Sequence, residues 1–143
     1  MLICHFRLRT IVSLLTIISC LFSGCSLELF ESNNTEFDTI FSPKNGLKAI
    51  VFERESGASS GFNTQISVLS AVGKLPDASG NVFAADTNRS EAPAWNRQEN
   101  RNGPEVKVRW ISENEIEISY DKRARVFVAE NKVGDVVITY KTW

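Results

Sequence analysis

Between Val106 and Tyr120 the chain alternates apolar and polar residues with a period of two, broken only at Ser112-Glu113-Asn114. Val106, Val108 and Trp110 fall on one side, Lys107 and Arg109 on the other. Ile116, Ile118 and Tyr120 repeat the pattern against Glu115 and Glu117. A helix scatters such a pattern around its surface, whereas a strand puts every second side chain on one face. The stretch is therefore a β-hairpin with one face in a core. A two-residue loop would set Trp110 beside Glu117 and mix the faces. Making Ser112-Glu113-Asn114 a three-residue loop sets Trp110 against Ile116 and Arg109 against Glu117, with Asn114 in the left-handed conformation such loops need.

The same period recurs upstream and downstream. Residues 47–54 carry Ile50, Val51 and Phe52, apolar on both faces, which predicts a central strand. Residues 62–68 alternate cleanly, which predicts a strand with one wet face. Shorter strands are expected over 81–85, 126–129 and, after Gly134-Asp135, 136–140. Behind Asn34 or Thr35 as a cap, Phe37, Ile40 and Phe41 have i, i+3, i+4 spacing, which predicts a short helical turn ended by Ser42-Pro43. No βαβ spacing occurs. The expected fold is mainly β: an antiparallel sheet or sandwich of about seven strands with a short N-terminal helical turn. Ser42-Pro43-Lys44-Asn45-Gly46 looks like the start of a β-propeller repeat, but it occurs once, and one copy cannot build a propeller.

The N-terminus is of a different kind. Arg7 and Arg9 precede an apolar run from Ile11 to Phe22, and no acidic residue occurs before Glu28. Leu21-Phe22-Ser23-Gly24-Cys25-Ser26 then resembles a bacterial lipobox, with Phe22 where Leu is more usual. The alternative Ile17-Ile18-Ser19-Cys20 puts bulky Ile18 where a small residue is preferred. The three-part pattern is that of a signal peptide, and the run is short of the roughly 20 residues that span a bilayer. The expected organisation is a lipoprotein signal peptide over 1–24, a tether and helical turn over 25–41, and a β domain over 42–143. Cys25 is the lipidation site, and two or three acyl chains there hold a protein stably on a membrane. Ser26 after the cysteine goes, in a cell with two membranes, with sorting to the periplasmic side of the outer membrane.

Removing the first 24 of 143 residues leaves 119, one domain by length. Of 16 Lys and Arg, Arg7 and Arg9 leave with the signal, so 14 face 17 Asp and Glu. That balance argues against nucleic acid as a partner. The single histidine, His5, and two of the three cysteines, Cys4 and Cys20, also lie in the export segment, and Cys25 would be acylated. Catalysis by Ser-His-Asp or Cys-His is then excluded, as are Cys/His zinc sites and intrachain disulfides. No cofactor or metal is expected.

Candidate functional residues are few. The loop over 55–61, with Ser59 and Ser60 between two glycines, could cradle an anion through backbone N–H groups, although a plain hairpin connection explains it as well. Residues 87–104 form a long polar segment around Trp95, which is either a ring folded back on the sheet or a contact for a partner. Asn88-Arg89-Ser90, within it, matches a glycosylation pattern that carries little meaning in a bacterial lipoprotein. Lys122, Arg123 and Arg125 make the only basic cluster outside the signal, either a solvated turn or a site for anionic glycan or lipid. Glu53, Glu55, Asp86 and Asp121 are the carboxylates on which acid/base glycan cleavage would depend; each is also an ordinary surface or turn residue by type.

Four stretches taken together resemble an uncharacterised family of small exported or lipid-anchored bacterial proteins: Lys48-Ala49-Ile50-Val51-Phe52-Glu53-Arg54 running into Gly57-Ala58-Ser59-Ser60-Gly61-Phe62-Asn63-Thr64-Gln65; Gly80-Asn81-Val82-Phe83-Ala84-Ala85-Asp86; Val106-Lys107-Val108-Arg109-Trp110; and Ile116-Glu117-Ile118-Ser119-Tyr120-Asp121 with Ala124-Arg125-Val126-Phe127. Relatives often carry a cysteine in place of Ser56, so any thiol role there is absent. The resemblance implies an exported domain over most of 47–127 and adds no reaction. The expected function is a lipid-anchored envelope protein that binds or assists an envelope protein or glycan. The alternatives are an inhibitor of an envelope-degrading hydrolase and a carboxylate-based glycan hydrolase.

Overall fold

A computed structural model describes residues 33–55 and 61–143, and over them the chain is mainly β with antiparallel sheets. Strands are numbered in chain order. The first sheet holds β1 (Asn34–Phe41), β2 (Leu47–Glu55), β3 (Phe62–Ser70), β4 (Phe83–Asp86) and β9 (Arg125–Ala129), side by side in that order and antiparallel throughout. The second holds β7 (Val106–Ser112), β8 (Glu115–Tyr120), β11 (Val136–Thr142) and the two-residue β10 (Lys132–Val133). A small ribbon pairs β5 (Ala94–Asn96) with β6 (Arg101–Pro104). The described residues thus carry eleven strands rather than seven, the surplus being β1 and the short pieces β5, β6 and β10 that alternation alone does not reveal.

The hairpin expected from the alternation is present in the expected register. Arg109 pairs with Glu117 and Trp110 with Ile116, and the Arg109–Glu117 ion pair closes to 3.0 Å on the outer face. Its turn is built differently. Ser112 pairs directly with Glu115, a bulge at Ile111 absorbs the extra residue, and Asn114 does not have a positive φ. A bulge and a three-residue loop shift the ladder equally, so the side-chain pattern alone does not distinguish them. The Glu113 carboxylate accepts from Ser42 Oγ (2.9 Å) and Lys44 N (2.8 Å), which ties this turn to the one between β1 and β2.

Residues 34–41 are a strand, not the expected helical turn, and the β domain begins at Asn34 instead of 42. They pair with 48–54 of β2, with a bulge between Glu36 and Asp38. The bulge shifts the alternation by one, so Phe37 meets Trp95 while Ile40 packs on the core. The i, i+3 spacing read as helical is that shift. One or two helical turns close few hydrogen bonds, whereas the edge of β2 offers a whole ladder.

β3 has no wet face. Asn63 through Val68 are all buried, because the segment between β3 and β4 returns over the polar side. Gly80 N donates to Gln65 Oε1 at 2.5 Å and Asn81 N to Ser67 Oγ at 3.3 Å, while the Asn81 side chain bonds both N and O of Val68. A Cβ on Gly80 would lie 2.7 Å from Ile66 O and 2.8 Å from Phe83 O, so only glycine permits that approach. Buried polar groups are acceptable when they are hydrogen-bonded.

One apolar cluster joins the two sheets. Ala49, Val51, Ile66, Val68, Phe83 and Ala85 of the first meet Val106, Ile116, Ile118, Val136 and Ile138 of the second. Phe83 sits with its ring centroid 5.0 Å from that of Tyr120 and 6.0 Å from that of Tyr140. The Tyr140 hydroxyl lies 2.7 Å from the Glu130 carbonyl and 3.2 Å from that of Val82, and burial raises its pKa. At the other margin, Trp110 Nε1 donates to Ile40 O at 3.0 Å, joining β7 to β1. The last strand departs from the antiparallel rule. β11 lies parallel to β8, after the chain has crossed to the first sheet as β9 and returned. A parallel neighbour requires such a crossover, because no tight turn can make it.

Candidate functional site

The start of β3, the end of β4, the start of β9 and the ribbon border a cleft of about 630 Å³. Gly61, Phe62, Asp86, Thr87, Arg89, Arg97, Asn102 and Arg125 line it. Gly61, the last residue of the segment 55–61, therefore lines one concavity with Thr87, Arg89, Arg97 and Asn102 of the segment 87–104. Ser59 and Ser60, like Cys25, lie outside the described residues.

The ribbon is fixed by Glu53 of β2. This carboxylate is 4% exposed, and its Oε1 accepts the backbone N–H groups of both Asn102, at 2.8 Å, and Gly103. Burial raises its pKa, against the lowering effect of those two bonds. Thr64 Oγ1 donates to Pro104 O at 2.7 Å, and a Cβ on Gly103 would run into Thr64 Oγ1 and lie 2.7 Å from Thr64 N. The part of the polar segment from Ala94 to Pro104 is thus held as a ribbon. At its tip Asn96 Oδ1 accepts from Gln98 N over the 3-10 turn Arg97–Glu99, and Asn100 closes the turn with φ 59°. Trp95 packs edge-on against Phe37 and under the Arg101 guanidinium, 4.6 Å from its ring, so it belongs to the packing beneath the ribbon.

The opposite wall is set by Asp86, 8% exposed, which pairs with Arg125 through both carboxylate oxygens and also accepts Asn88 N at 2.8 Å. That last bond starts an unusual turn. Asn88, Arg89 and Ser90 have φ of 48°, 57° and 76°, three consecutive non-glycine residues in the left-handed region. This costs arginine and serine about 1–2 kcal/mol each, and asparagine less. The turn is held by Glu91 N to Asn88 O and Ala92 N to Thr87 O, with Ala92 fully buried.

The basic cluster read from the sequence is divided. Arg123 is taken by Asp121, 2.6 Å from its Nη2, and Lys122 is on the exposed turn; only Arg125 reaches the cleft. Its companions there, Arg89 and Arg97, are far away in sequence. Neither makes an ion pair among the described residues, and no basic cluster in the sequence marks them. The one local signal was Asn88-Arg89-Ser90, where asparagine readily takes the left-handed conformation.

Three of the four candidate carboxylates are committed elsewhere: Glu53 to the ribbon, Asp86 to Arg125 and Asp121 to Arg123. Among the described residues, Asp86 is the carboxylate that lines the cleft. Among the described residues no group of His, Cys, Asp or Glu side chains could hold a metal ion, and no helix is long and apolar enough to cross a membrane. Comparison with protein-family models, with curated proteins and with solved structures gives no match.

Asp121 provides a pH-dependent prediction. Its side chain accepts Nε, Nη2 and the backbone N–H of Arg123, and the Arg123 side chain holds its pKa down at about 2 against an ordinary 3.8. A lowered carboxylate stabilises the fold above its ordinary pKa, and that contribution is lost as the pH falls through the folded value. Asp121→Asn is expected to flatten the acid limb of urea-unfolding stability between about pH 4 and pH 2. Parallel curves for the two proteins would contradict this.

Proposed function

We propose that this chain is an exported bacterial lipoprotein, of the family its motifs resemble, anchored through Cys25. Its β domain, which we read as a two-sheet sandwich, is a binding or accessory module for an envelope protein or glycan. In a cell with two membranes it sits on the periplasmic side of the outer membrane. The observation that supports this reading best is the cleft. Gly61 and Phe62 line one concave surface together with Thr87, Arg89, Arg97 and Asn102 of the polar segment 87–104, and that surface has two exposed guanidiniums without ion pairs among the described residues. Concave sites lined by a few convergent polar groups are where ligands bind.

Two experiments test it. Intact mass of the membrane-purified protein should show a lipid-modified Cys25 at the N-terminus, and Cys25→Ser should move the protein out of the membrane fraction. A photo-crosslinking residue at Thr87, on the cleft, should capture envelope material that one at Val72, 93% exposed and remote from the cleft lining, does not. An unmodified N-terminus removes the anchor, and equal capture at both positions removes the docking site.

A further inference from the structure

The cleft has a chemistry more specific than docking in general. Resting on the reading that the cleft is the module's binding surface, we infer that it receives an oxyanion carried on a saccharide-sized ligand, such as a phosphorylated sugar. Three arginines face one aspartate across the concavity, and that aspartate is already bound to Arg125 through Nε and Nη2. Asp86 therefore orients Arg125 and leaves Nη1 for another acceptor. Arg89 and Arg97 have no ion pair among the described residues. Guanidiniums gathered around an open concavity repel one another, and a bound oxyanion relieves that repulsion through charge-assisted, planar hydrogen bonds.

The placement of Arg89 points the same way. It lies at the centre of three successive left-handed residues, a conformation that arginine and serine adopt only at a cost. Local strain of this kind persists where the surrounding structure enforces it, and it gathers at ligand clamps. Here Asp86 enforces it at one end and buried Ala92 at the other. The same aspartate that orients Arg125 also starts the turn that presents Arg89.

The size and the remaining wall identify what the oxyanion is attached to. About 630 Å³ falls in the range of small-molecule sites and exceeds what a bare anion needs. Phe62, 40% exposed at the start of β3, lines the same cleft with Asn102 and Thr87. An aromatic face packs against the C–H side of a pyranose, and the amide and hydroxyl suit its hydroxyls. An extended nucleic-acid footprint is not favoured, since the basic groups form a single focus in a chain with no basic excess.

The test is titration calorimetry on the full lipidated protein in detergent at low salt, with glucose 6-phosphate, inorganic phosphate and glucose as probes. Glucose 6-phosphate is expected to bind, inorganic phosphate to bind several-fold more weakly, and glucose not to bind. Arg89→Ala with Arg97→Ala should weaken glucose 6-phosphate by about tenfold or more. Phe62→Ala should abolish its advantage over inorganic phosphate. Both arginines are exposed, so the thermal midpoint should not change; if the double variant misfolds, each single variant is read instead. No binding of glucose 6-phosphate, equal binding in the arginine variants, or equal affinity for sugar phosphate and phosphate overturns the inference. Crosslinks at Thr87 that persist after such a failure would leave the docking reading standing without an anionic ligand. Binding without any crosslink would separate the two in the other direction.

Discussion

Phe83→Ala is expected to remove about 3–5 kcal/mol of stability and to lower the thermal midpoint by on the order of 15–30 °C. The reasons are the position of the ring and its partners. Phe83 is fully buried in β4 of the first sheet, yet it packs on Tyr120 of β8 and Tyr140 of β11 in the second. Its loss removes both the transfer energy of the ring and part of the contact between the sheets, leaving a cavity that strands paired on both sides cannot easily close. Phe83→Leu, which keeps much of the volume, should cost no more than about 1.5 kcal/mol. Urea unfolding measures the difference, and near-UV circular dichroism should show the two tyrosines losing their fixed surroundings. A loss below about 1 kcal/mol for the alanine variant would mean that the sheets do not share one core through this ring.

Glu53→Ala is the second large effect, expected at about 2–4 kcal/mol. Removing the carboxylate strands the N–H groups of Asn102 and Gly103, and a buried donor without an acceptor costs about 1–3 kcal/mol. Both bonds go to the same oxygen, Oε1, so Glu53→Gln can keep both and should lose only a minor part of that stability. The glutamine variant also tests the titration. A folded pKa raised by burial gives a contribution that is complete below the ordinary value of 4.5 and is lost as pH rises through the folded value. In Glu53→Gln that decline with rising pH should disappear. The consequence for the cleft is direct, because the ribbon carries Arg97 and Asn102. Glu53→Ala should weaken ligand binding at the cleft even at temperatures where the protein remains folded. Gly103→Ala, which drives a Cβ against Thr64, should act in the same direction.

What could be read from the chain alone depended on how local the signal was. The β7–β8 hairpin was legible because apolar and charged residues alternate from Val106 to Trp110 and again from Glu115 to Ile118, and Arg109 and Glu117 pair across the ladder. The double burial of β2 was legible in Ile50, Val51 and Phe52. The polar residues Asn63, Gln65 and Ser67 read as a solvent face, but Gln65 and Ser67 are met by Gly80 and Asn81, on a segment that returns from elsewhere. Phe37 and Ile40 read as helical because a bulge and a helical turn give the same spacing. The cleft was half visible. The loops at 55–61 and 87–104 and Arg125 were picked out, while Arg89 and Arg97 were not, since only the approach of the ribbon to β4 and β9 brings them together. Charge convergence made by tertiary contact leaves no periodicity to find.

The parallel seam between β8 and β11 has a kinetic meaning. Sheet two is incomplete until the C-terminal strand arrives, and that strand comes only after β9 has joined sheet one. Contacts of such long sequence separation form late and slow the search for the native state. Sheet one can close once β9 is present, but the core it shares with sheet two is not complete until β11 arrives, so a chain that emerges N-terminus first keeps part of that apolar face uncovered until its final strand is free.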